Sequence, residues 1–152
     1  MNENTLAEHA FLNGVSRDAL ARIATLATEE VFTVGQTLCH EGSRAHLFFL
    51  LTHGDVALTI DTPRGPLVVE TLDGGDVIGW SWAVAPYRWR FTARARSMVR
   101  AIAIDGDRLR ALLESDHEVG YVLLSRLMGV VAERLSATRM QLIDVYGGGR
   151  AP

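Results

Sequence analysis

From Thr28 to Ile104 the chain never holds one apolar pattern for long. It runs VFTV, HLFFLL, VALTI, PLVVETL, DVIG, RFTARAR and RAIAI, and each run is cut short by turn residues. The interruptions are Val34-Gly35-Gln36, Glu41-Gly42-Ser43, His53-Gly54-Asp55, Pro63-Arg64-Gly65 and Asp73-Gly74-Gly75-Asp76. Glycine at such points supplies a left-handed backbone without steric cost. Runs this short read as strands, and many of them at close spacing imply a sandwich or barrel. No strand alternates with a long helix, which argues against a parallel α/β sheet. The expected class is mainly β with flanking helices. It is an antiparallel jelly-roll (double-stranded β-helix) barrel followed by a long C-terminal dimerisation helix.

Helical spacing appears only at the two ends. Leu20, Ile23, Leu26 and Ala27 share one face of a lead helix, with Ser16 as its N-cap and Phe11 and Leu12 tucked just upstream. After the strands, Asp105 or Asp107 caps a short helix that turns Leu109, Leu112 and Leu113 inward. A long helix follows, from His117 to Val145 or Tyr146. Met128, Val131, Leu135, Thr138, Leu142 and Val145 recur along it at alternating steps of three and four. That is the seam of a two-stranded coiled coil. Such a helix is about 40 Å long, more than a small domain covers with its own core. A homodimer through this helix is the expected partner arrangement, against the alternative of a helix packed wholly on its own barrel. Residues 147–152 are expected to form a flexible tail, so the domain is residues 1–146 with its C-terminal helix at 117–146.

Composition closes several classes. The 48% hydrophobic content supports a real core, and the net charge of -3 weighs against nonspecific nucleic-acid binding. Cys39 is alone, so no intramolecular disulfide is possible; it reads as a buried thiol in a reducing, cytoplasmic setting. No basic, apolar leader opens the chain, and no apolar stretch reaches the roughly 18 residues of a membrane span. The histidines (9, 40, 46, 53 and 117) lack metal-ligand spacing, so no metal is expected. No GxSxG, paired-carboxylate or phosphate-loop signature occurs, so the chain reads as a non-enzyme without catalytic residues.

The ordered set of glycines carries a resemblance. Gly35, Glu41-Gly42, Phe48 through Gly54-Asp55-Val56, Gly65, Leu72 through Gly79, Phe91 through Ala95, and Ala132 through Thr138 together resemble the cyclic nucleotide-binding domain of the Crp/Fnr family. The likeness covers Phe11 to Tyr146. It implies a ligand-binding regulator of bacterial signal transduction. It also implies a phosphate-binding cassette at Gly79, Trp80, Ser81, Trp82, Arg90, Phe91, Thr92 and Ala93, and Thr138 and Arg139 reaching a bound base across the dimer. For Thr138 the alternative is a polar residue merely tolerated in the seam.

Two departures from the family pattern bear on function. Regulators of this family carry a helix-turn-helix after the long helix, and here only Gly147 to Pro152 remain. DNA reading by that route is therefore not expected, and output through a protein partner is. In ligand-binding relatives a Glu and an Arg anchor the ribose and the cyclic phosphate; the matching positions here are Trp80 and Phe91. A charge-assisted hydrogen bond is worth roughly 1.5–3 kcal/mol. Loss of both anchors weakens binding by on the order of two to four powers of ten.

Strand parity decides whether Arg88 or Arg90 can replace the missing Arg. In RWRFTARAR, Trp89, Phe91, Ala93 and Ala95 fall on one side, and Arg88, Arg90, Arg94 and Arg96 on the other. The apolar set belongs inside, so the arginines point out unless a bulge shifts the phase. The outward arginines either meet an acidic partner or nucleic acid, or form a solvated face paired with the chain's own Asp and Glu. The low pI and the lack of interleaved aromatics favour the second. The chain is thus expected to be a sensor module with a cavity walled by Trp80, Trp82 and Phe91, with no cofactor. That cavity holds a less charged ligand or its own side chains. The alternatives are a true cyclic AMP or cyclic GMP receptor using Arg88 or Arg90 with Thr92, and a ligand-free interaction domain.

Overall fold

The computed structural model describes residues 1–148, with side chains through Asp144. Two short helical elements open the chain, α1 at Glu3–Ala7 and a 3-10 turn at Ala10–Leu12. Next comes α2 at Arg17–Ala24, which starts where Ser16 Oγ accepts the Ala19 N–H at 3.2 Å. The strands are β1 Ala27–Phe32, β2 Thr37–Cys39, β3 Leu47–His53, β4 Val56–Thr62, β5 Gly65–Leu72, β6 Val77–Ile78, β7 Thr92–Ala95 and β8 Val99–Asp105. They form two antiparallel four-stranded sheets, ordered β1-β8-β3-β6 and β2-β7-β4-β5. Asp105 then caps α3, Gly106–Ser115, by accepting the Arg108 N–H, and α4 runs from His117 to Gly148.

The two sheets face each other over one core. Phe49, Leu51, Ala101 and Ala103 from the first sheet meet Val56, Leu58, Ala93 and Ala95 from the second. The first sheet buries its other face as well. Phe48, Leu50, Ile102 and Ile104 pack there against Leu20, Ile23, Leu109 and Leu123 of the helices. This double burial explains the sequence of β3 and β8. Strands covered on both sides read as continuous apolar runs, without the in-out alternation of a half-solvated strand.

The strands differ from the sequence reading chiefly at β1 and β2, and β6 and β7 are shorter than the DVIG and RFTARAR runs. Thr33 and Val34 of the VFTV run lie beyond β1, in the turn where the Gly35 N–H reaches Ala95 O at 2.8 Å. β1 instead begins at Ala27 and carries exposed Thr28, Glu29 and Glu30; it is an edge strand, where charge blunts pairing with other chains. β2 is three residues long, too short to show a period.

α4 has 32 residues and is about 48 Å long. Its first half is anchored by Val119, Leu123 and Leu127, all buried on the helix-side core. Met128, Leu135 and Leu142 lie on a different face and are 74%, 57% and 55% exposed. Val131 is half-buried and Thr138 is exposed, while the side chain of Val145 lies outside the described residues. The apolar residues therefore serve two faces of one helix, one against the domain and one turned to solvent.

Candidate functional site

The cassette begins where β6 ends. Gly79 has φ of +95°, and an ideal Cβ there would stand 2.5 Å from the Trp89 ring. The indole of Trp89 thus takes the space that only a glycine leaves open. Trp89 is buried, stacked on Phe49 at 6.4 Å between centroids and tilted against Phe91 at 5.9 Å. Phe91 in turn meets Trp80 edge-on at 6.4 Å. Four aromatic rings, from β3, the cassette loop and the approach to β7, are packed against one another beside Gly79.

Trp82 does not join them, which corrects the expectation of one aromatic wall. It lies on the other side of the first sheet, 5.1 Å from Phe48, and belongs to the helix-side core. Gly106 leaves room for it, since a Cβ there would sit 2.8 Å from Trp82 Cβ. The physical reason is the turn between Trp80 and Tyr87, which carries the chain across the end of β3. Arg110 of α3 pins this turn, donating from Nη1 to Trp82 O at 2.7 Å with its guanidinium 4.0 Å from the Tyr87 ring centroid. Tyr87 itself holds a left-handed φ of 58°, unusual for a residue with a side chain. Ser81 Oγ and Trp82 Nε1 are buried without a hydrogen-bond partner among the described residues.

The alternation predicted for RWRFTARAR is present without a shift of phase. Trp89, Phe91, Ala93 and Ala95 are buried, whereas Arg88, Arg90, Arg94 and Arg96 are exposed. Arg88 donates to Gly42 O at 3.0 Å, outside the aromatic cluster. Thr92 Oγ1 accepts the Glu41 N–H at 3.1 Å, so the hydroxyl is already engaged by a turn of its own chain. The outer arginines are solvated but not paired, contrary to the expectation of ion pairs on that face. Among the described residues no carboxylate lies within 4.0 Å of these four arginines, whereas Arg22 has two and Arg44 and Arg110 have one each.

One charged side chain does reach the cassette, and it comes from α4. Arg134 is only 10% exposed; its guanidinium stands 5.6 Å from the Trp80 ring centroid, with Nε 3.5 Å from Glu70 Oε2. It also donates to Val77 O, while Nη1 is buried without a partner among the described residues. Burial pulls the Arg134 pKa down, opposed by Glu70, Asp76 and Glu133, and burial likewise pushes the Glu70 carboxyl up against the pull of Arg134. Both shifts run opposite to what ion pairing alone would cause. Desolvation outweighs attraction in this pair, the usual balance for a buried salt bridge.

The sequence reading did not single out Arg134, yet a signal for it exists. Leu123, Leu127, Val130, Arg134 and Gln141 continue the inner face at steps of three, four and seven. Gln141 confirms that face by donating to Val69 O at 3.2 Å. Thr138 and Arg139 are exposed, and Thr138 Oγ1 donates back to Arg134 O at 2.9 Å, within its own helix.

Two further groups complete the polar inventory. Cys39 is buried and free, with its thiol pKa pushed up to about 12 by burial, so it is inert as a nucleophile. His9 is buried, accepting the Phe11 N–H at Nδ1 and donating from Nε2 to Leu51 O at 2.9 Å; burial lowers its pKa. Among the described residues no cluster of His, Cys, Asp or Glu is placed to hold a metal, and no helix is long and apolar enough to cross a membrane.

Comparison with known proteins accords with this architecture. The cyclic nucleotide-binding domain family matches residues 29–116. A candidate cyclic nucleotide-binding protein from Geobacter metallireducens GS-15 superposes with a TM-score of 0.80 at 28% identity, over 89% of this chain and 98% of that one. The catabolite activator protein of Thermus thermophilus gives 0.70 at 15% identity, covering 90% and 62% of the two chains. The sensor domain of the transcriptional regulator DNR from Pseudomonas aeruginosa gives 0.72 at 18%, over 88% and 91%. In sequence, the chain is 24% identical over 131 residues to the HTH-type transcriptional regulator Cmr of Mycobacterium tuberculosis (strain CDC 1551 / Oshkosh). That match covers 86% of this chain and 52% of the regulator, so the chain spans about half of its relative's length. With the family pattern matched over more than half of its residues, and with the double sheet and long C-terminal helix around it, this chain belongs to the cyclic nucleotide-binding domain family.

Proposed function

We propose that this chain is a dimeric, non-enzymatic sensor or regulatory module whose phosphate cassette does not hold a cyclic nucleotide tightly. The observation that carries this reading is the Trp89 indole lodged against Gly79 and stacked on Phe49 and Phe91. A cyclic phosphate placed there would lose its hydration, and the one guanidinium that reaches the cluster, that of Arg134, is already shared between Glu70 and the Val77 carbonyl. An uncompensated buried anion is among the most costly arrangements in a protein. Arg88 and Arg90 face solvent, and Thr92 is engaged by Glu41, so neither supports the receptor alternative.

Isothermal titration of the protein with cyclic AMP and with cyclic GMP tests the reading. No saturable heat is expected up to about 100 μM of either, a limit of roughly 5.5 kcal/mol of binding free energy. Micromolar binding of either nucleotide would refute it.

The dimer reading rests on the solvent-facing row Met128, Leu135 and Leu142. Contiguous exposed apolar rows of this kind mark association surfaces. Leu135→Asp is expected to leave the monomer folded, because Leu135 touches none of the two cores, and to abolish dimerisation. Sedimentation at tens of micromolar should show a dimer for the wild-type chain and a monomer for the variant. A wild-type monomer under those conditions sinks the dimer.

A further inference from the structure

We propose that the row of arginines outside β7 is a docking surface for an extended, acidic segment of a partner protein. The row is Arg88, Arg90, Arg94 and Arg96, all exposed and all on one side of a stretch whose alternate residues are buried. Sheet neighbours leave it bare. Arg94 stands directly between Thr37 of β2 and Ala57 of β4, and Thr92 stands beside Thr59. None of these can neutralise a guanidinium. Of the acidic residues on this side, Glu41 has its carboxylate engaged by the Asp61 N–H at 3.0 Å, and Asp55 meets Arg96 through its backbone carbonyl at 2.8 Å. A chain with more acidic than basic residues therefore leaves these four arginines, among the described residues, without an ion pair.

The geometry selects the partner. Alternate side chains on a strand are roughly 6.6–6.8 Å apart, so an extended segment with acidic residues at every second position presents carboxylates at the same interval. A carboxylate is the group a guanidinium engages through two N–H groups. Arg94 lies within β7 itself, while Arg88, Arg90 and Arg96 lie on the segments that flank the strand. Single-stranded nucleic acid fits less well, because such sites interleave basic groups with aromatic platforms. The outward neighbours here are Thr37, Ala57, Thr59 and Thr92, none of them aromatic. The surface is independent of the cassette: it stands on the outer face whether or not the interior binds a nucleotide.

The test uses a fluorescein-labelled peptide of about ten residues alternating Glu and Thr, followed by anisotropy at low ionic strength, where surface charge is least screened. The wild-type protein is expected to bind it, and the combined Arg90→Gln, Arg94→Gln, Arg96→Gln variant to bind roughly tenfold more weakly or worse. A control with the same change of charge elsewhere, Arg17→Gln, Arg100→Gln, Arg108→Gln, should stay within about twofold of wild type. Arg94→Gln alone, expected to cost about threefold, keeps the test open if the triple variant does not fold. The proposal fails if the peptide does not bind, or if the control loses as much as the triple variant. It also fails if an oligothymidylate of similar length binds more tightly and depends on the same arginines, which would give the face to nucleic acid.

Discussion

Trp89→Ala is expected to lower the stability of the protein by about 3–5 kcal/mol, the range for removing a fully buried tryptophan from a core. The indole is 3% exposed, and its loss would strip contacts from Phe49, Phe91 and Gly79 together. For a chain of this size each kcal/mol moves the thermal midpoint by about 2–4 °C, so a drop of roughly 10 °C is the expected reading. Scanning calorimetry on wild type and variant measures it. A loss below about 1 kcal/mol would mean that the ring is not a packed element of the barrel, and the proposed reason for nucleotide exclusion would fall with it.

Gly79→Ala is the second large effect, and it is linked to the first. Two costs add at this position. The left-handed φ of +95° penalises any side chain, by about 1–2 kcal/mol. The new methyl would also stand 2.5 Å from the Trp89 ring, inside van der Waals contact, so the ring must move. A total near 3 kcal/mol is expected. In a Trp89→Ala background the clash disappears and only the backbone cost remains. The double-mutant cycle should therefore show a coupling of about 1–2 kcal/mol, the signature of residues in direct contact. Strict additivity would show that the ring and the glycine do not meet. Urea unfolding of the four proteins supplies the measurement, with equal m-values as the check that each unfolds in the same way.

How much of this was legible in the sequence varies by element, for physical reasons. The RWRFTARAR stretch could be read residue by residue because a strand with one buried face alternates, and here the small and aromatic residues fall strictly opposite the arginines. β3 and β8 were readable as strands, yet their double burial was not. A continuous apolar run says that both faces are covered without saying by what. The glycines point to the cassette stretch, but Trp82 was grouped with Trp80 and Phe91 as one wall. A strand period cannot be carried through the Trp80–Tyr87 turn, and the turn sends Trp82 to the helix side of β3. Arg134 was missed because a charged residue interrupts an apolar face, so the pattern looks broken where it in fact continues. The long-range partners of that arginine, Glu70 and Val77, are close only in the folded chain. β2 escaped because three residues have no period.

Every tryptophan of this protein lies within ten residues of its neighbours in the cassette, at 80, 82 and 89. Trp89 is inside the barrel, Trp82 is in the helix-side core, and Trp80 lies between Phe91 and the Arg134 guanidinium. Intrinsic indole emission is therefore a signal from this one region, with no background from elsewhere in the chain. The molecule carries its own optical reporter at the proposed cassette, and a shift in colour or intensity on adding a small molecule can be read there without attaching a dye.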